Sequence, residues 1–155
     1  MFFDAIKNFV ADLASGEKQA GGLADHDFRV ATAALLVHAA TVDGDMSESE
    51  RDKLQSLLKQ RFELDDAAAS VLIEEGVAAD DKAVDLYHFT HLLNDRLDDN
   101  DRLRMVEMMW AVAYADAAVS EFEDNLIWRV ADLLGVSGPE RIALRHRVAA
   151  QSGNA

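Results

Sequence analysis

The chain of 155 residues is 50% hydrophobic, contains no cysteine and carries a formal charge of −14 at pH 7. Its length and apolar content bound it to one domain with a sizeable core, and the lack of cysteine excludes disulfides, thiolate metal sites and thiol redox chemistry. A field of that sign repels nucleic-acid phosphates, so cations and basic proteins are the better partners.

In chain order, Phe2, Phe3, Ile6, Phe9, Val10 and Leu13 form an apolar stripe at helical spacing, and Gly16, Gly21 and Gly22 mark Ala14 to Ala24 as a flexible connection. Residues 1–24 therefore read as an amphipathic helix and linker, residues 25–150 as the compact domain and 151–155 as a disordered tail. The stripe either lies on the domain's own core or docks on a protein partner. A membrane-surface helix would need Lys and Arg on its polar face, and this one has a single lysine.

From Asp25 to Thr41 the set Phe28, Ala31 and Leu35 describes a buried, alanine-rich helix that stops at Asp43-Gly44. Ser47 to Arg61 supplies Leu54, Leu57, Leu58 and Phe62 on one face. Leu64 and Asp65 begin a third helix that runs out at Glu74-Glu75-Gly76, and Asp80-Asp81 opens a fourth through Tyr87, Phe89 and Leu93. Asp98 to Asp101 caps the next, which brings Val106, Met109 and Trp110 toward Asp116. Ser120 to Leu134 follows, Gly135 stops it, and Ser137 to Glu140 starts the last. No strand pattern competes, so the expected fold is all-α with seven or eight helices.

Two of these junctions repeat. Asp43 and Asp116 are 73 residues apart, as are Ser47 and Ser120, and Glu50 and Glu123. Each copy is a helix ending in an aspartate, a short turn, and a helix opened by Ser-x-x-Glu. That spacing is a capping box, in which serine accepts from a backbone N–H and glutamate reaches back to the serine N–H. Capping alone leaves the aspartates unexplained, because the macrodipole disfavours a carboxylate at a helix C-terminus. An approximate twofold axis between the copies would bring Asp43, Glu50, Asp116 and Glu123 together, an oxygen donor set suited to Ca²⁺, Mg²⁺ or Mn²⁺. Asp43, Asp45 and Ser47 imitate an EF-hand loop, but Glu48 stands where glycine is needed and Leu54 where the bidentate glutamate belongs.

The duplicated helix, Asp-(Gly)-x-x-Ser-x-x-Glu, helix unit resembles the TerB family, the tellurite-resistance TerB-like domains. The likeness spans roughly Asp25 to Ala150 and is best at Ala39 to Glu50, Trp110 to Asp116 and Leu133 to Ser137. It implies an all-α fold of two pseudo-symmetric halves, a place in tellurite-resistance or stress-response systems, and a metal role for Asp43, Glu50, Asp116 and Glu123. The second copy departs from the pattern, with Ala117 where the first has Gly44, so the half-sites need not be equivalent.

Tellurite itself is an oxyanion, which an acidic chain without thiols can neither attract nor reduce; any role in resistance is indirect. His88 and His91 share a helical face and, with Asp95, could make an alternative metal or acid–base site, although histidines among aromatics are more often packing residues; His38 lies one turn before Asp43, where it could join the acidic site as a nitrogen ligand. No serine-hydrolase, phosphate-loop or zinc-protease signature accompanies them. The longest uncharged stretch is too short to span a bilayer and no signal peptide opens the chain. The expectation is a non-enzymatic, soluble, cytoplasmic interaction domain that takes up a divalent ion (Ca, Mg, Mn or Zn) and a protein partner, with a homodimer left open.

Overall fold

The computed structural model describes residues 20–83, 85–116 and 119–151; the side chains of 20–25 and 116 lie outside that description. Seven α-helices make up the described chain: α1 Ala20–Thr41, α2 Glu48–Phe62, α3 Asp66–Lys82, α4 Tyr87–Arg96, α5 Asp99–Ala113, α6 Glu121–Leu133 and α7 Gly138–Gln151. A 3₁₀ turn, Tyr114–Asp116, closes α5. The chain is all-α, and no strand occurs among the described residues. The expected N-terminal helix lies within residues 1–19, outside the described residues, as does the expected tail from 152 onward, whereas Gln151, given to the tail, is the last residue of α7.

Four of the helix starts have a local cause. Ser47, Asp65, Asp98 and Ser120 are N-caps whose side chains accept from the backbone N–H three residues on, which satisfies one of the orphan donors of the first turn. α2 ends on Glu63 in the left-handed region (φ 54°) and α6 is followed by Gly135 there (φ 78°).

α1 is the central element. Ala33, Ala34, Leu35, Leu36, Ala39 and Ala40 are all fully buried, and it packs on α3, α4 and α5. Its small side chains allow close approach: Gly76 of α3 lies directly against Ala33. The second half of the core comes from Met105, Val106, Met109 and Trp110 on α5 with Ile127 and Val130 on α6. Arg145 of α7 ties this half together, lying over the Trp110 ring at 4.9 Å and donating to the Tyr114 hydroxyl at 3.0 Å and Asp124 at 2.9 Å.

Three boundaries differ from the sequence reading. α1 begins at Ala20 and includes Gly21 and Gly22, whose cost of about 1 kcal/mol each a long helix can carry. α3 does not stop at Gly76 but runs on to Lys82, because that glycine is where it meets α1. Asp80 and Asp81 consequently end α3 instead of opening α4, which starts at Tyr87. No helix among the described residues is long and apolar enough to cross a membrane.

Candidate functional site

The two Ser-x-x-Glu starts form matching capping boxes. Ser47 N–H donates to Glu50 Oε1 at 2.9 Å and Glu50 N–H donates to Ser47 Oγ at 3.1 Å; Ser120 and Glu123 repeat both distances. Ser137 and Glu140 make a looser, exposed version at 3.2 and 3.3 Å. Capping therefore accounts for one oxygen of each glutamate.

It does not account for the rest of Glu123. This side chain is 3% exposed, and its Oε2 is buried with no hydrogen-bond partner among the described residues. Burial pushes its carboxyl above the ordinary range; the Ser120 hydrogen bonds oppose that, and the charges of Asp43 and Glu50 add to it. The fold thus brings Glu50 of α2 and Asp43 of the α1–α2 turn within electrostatic reach of Glu123 at the start of α6. Glu50 is 4% exposed, whereas Asp43 stands in solvent beside Gly44, whose φ of 143° turns the chain toward α2.

The fourth expected ligand, Asp116, ends the 3₁₀ turn, which packs on α2, but its side chain lies outside the described residues. Among the described residues no three His, Asp or Glu side chains converge closely enough to hold an ion as they stand. The buried orphan oxygen and the set of hard oxygen donors suit a divalent cation; the spacing of the side chains does not yet complete a shell.

The histidines go elsewhere. His38 bonds through Nδ1 to Asp80 Oδ1 at 2.8 Å, so that nitrogen faces α3 and not the acidic turn. His88 and His91 are exposed, His91 stacked on Tyr87 and His88 edge-on to Phe89. Asp95 is exposed as well. His26 meets the buried Glu75 at 2.7 Å across the α1–α3 interface. The long separation, 49 residues, hides that pair from any local pattern.

The family described as tellurite resistance protein TerB matches residues 29–146, a span that holds both acidic turns and most of the seven helices. Comparison with curated proteins and with solved structures returned no match. The match covers well over half of the chain, and the chain belongs to the TerB family.

Proposed function

We propose that this protein is a non-enzymatic interaction domain of a tellurite-resistance or stress-response system, soluble and cytoplasmic, in which a divalent cation engages the duplicated acidic turns. Asp43, Glu50, Asp116 and Glu123 would hold the ion, and the ion would neutralise carboxylates that otherwise repel one another. Because the turns belong to different halves of the molecule, their joint ligation would fix the angle between the halves and so set the surface offered to a protein partner. The observation that carries this reading is the buried Glu123 Oε2, which has no partner among the described residues, since a carboxylate oxygen removed from water and left unpaired is costly.

A second reading has support of its own. Both glutamates already close capping boxes, and a helical scaffold without any ion would use the same residues in the same places.

Thermal melts separate the two. Protein stripped with EDTA is compared with protein given Ca²⁺, Mg²⁺, Mn²⁺ or Zn²⁺, alongside Asp43→Asn and Glu123→Gln variants. An ion at about a hundred times its dissociation constant adds roughly 2.7 kcal/mol, a rise of about 5 to 10 °C for a chain of this size. A rise in the native chain that both variants lose supports the cation site. No rise with any of the four ions leaves the scaffold reading.

A further inference from the structure

A cleft of about 360 Å³ opens between α2, α5 and α7, with Leu57, Met108 and Val148 on its floor and Lys53, Arg61 and Arg104 around it. The offset of 73 residues that relates the acidic turns also relates α2 to α6 and α1 to α5, and it identifies what stands at the matching positions in the other half. Exposed Lys53 corresponds to Leu126, Arg61 to Leu134 and exposed Arg104 to Ala31. All three counterparts are buried, at 5%, 1% and 1% exposure.

The difference between the two places is a covering helix. α4 packs on α1 and α6, buries Phe89 and Leu93, and anchors itself through Asn94, which donates to the Leu133 carbonyl at 2.9 Å. It immediately precedes α5, separated from it only by Leu97 and Asp98. The twofold image of α4 is a segment immediately preceding α1, lying across α5 and α2, which is where the cleft is.

The chain has such a segment. Phe2, Phe3, Ile6, Phe9, Val10 and Leu13 recur at helical spacing ahead of α1. We propose that residues 2–13 of this same chain dock in the α2–α5–α7 cleft as the twofold counterpart of α4. Twelve helical residues are about 18 Å long, enough to cover the stretch of α2 from Lys53 to Arg61. The six residues from Ala14 to Gln19 reach up to about 20 Å, so the segment can fold back beside α1. Arg61, at the edge of the cleft, already lies over the Phe28 ring of α1.

Charge fits as well. Lys53 and Arg104 form no ion pair among the described residues, in a molecule with almost twice as many acids as bases. Asp12, beside Phe9 at the edge of the stripe, would meet them, while the aromatic residues take the role that Phe89 plays in α4.

The native chain has no cysteine, so a nitroxide on Gln60→Cys reports from the cleft alone. In ¹⁵N-labelled full-length protein the amides of residues 3–13 should lose most of their intensity, and Lys53→Glu with Arg104→Glu, both at exposed positions, should restore it. Full intensity at residues 3–13 overturns the proposal. So does broadening that survives the charge reversals unchanged, which would mean that Lys53 and Arg104 do not hold the segment. Broadening of the same size in native ¹⁵N chain mixed with nitroxide-labelled ¹⁴N chain would put the segment on a second copy, and overturns it too.

Discussion

Gly76 of α3 presses on Ala33 of α1 so closely that a β-carbon at position 76 would stand 2.9 Å from the Ala33 Cβ and 3.0 Å from its carbonyl carbon. By helix propensity alone Gly76→Ala would gain about 1 kcal/mol. The neighbours it would strike include backbone atoms, which cannot rotate away, and overpacking of this kind costs about 1–3 kcal/mol. The expected outcome is a net loss of about 1 kcal/mol, read as a lower urea midpoint with an unchanged slope. A higher midpoint would mean that α1 and α3 separate freely.

That glycine also shows where sequence reading stops. The helix periods, the serine and aspartate caps and the duplicated turn are local patterns, and the helices they predict at Glu48–Phe62, Asp99–Ala113 and Glu121–Leu133 are present. Gly76 looked like a terminus because propensity is local, whereas its reason is a contact with a residue 43 positions away. Glu75 stood at the same expected helix end, and is buried against His26. At the candidate site the two capping boxes were readable from spacing; the buried Oε2 of Glu123 was not, because it depends on how α6 packs against α1 and α5.

The His26–Glu75 pair should make stability fall as pH rises above neutral. The hydrogen bond from Glu75 raises the His26 pKa above its ordinary 6.5, against the opposing effect of burial. A group whose folded pKa is raised contributes fully below its unfolded value and loses that contribution as pH rises through the folded one. Relative to His26→Gln, the native chain should be more stable by about 1 kcal/mol in mild acid, with the gap closing above pH 6.5. Chemical denaturation from pH 5.5 to 9 measures it; a gap that widens with pH would contradict the pairing.

The three capping boxes should not be equal in strength. Those at Ser47 and Ser120 are partly buried, with both bonds at 2.9 and 3.1 Å, and that at Ser137 is exposed and longer. Replacing a capping serine by alanine costs roughly 1 kcal/mol. Ser47→Ala and Ser120→Ala should reach that value or exceed it, because each also frees a buried glutamate. Ser137→Ala should cost about half as much. Comparable losses at all three sites in thermal melts would show that burial adds nothing to these caps.

Glu123 gives the sharpest division between a cap and a cation ligand. Its carboxyl pKa is raised chiefly by burial, so the folded state binds the proton more readily than the unfolded chain. The associated stability is present below pH 4.5 and is lost as pH climbs through the raised value. At pH 7 and without an ion the native chain therefore holds a penalised charge, which Glu123→Gln removes while glutamine still closes the capping box. In EDTA the variant should melt above the native chain at pH 7, and the two should converge near pH 4. With saturating cation the order should reverse, since only the native carboxylate gains from the ion. A variant that melts below the native chain in EDTA yet responds to cation as strongly would remove Glu123 from the site and leave it a cap alone.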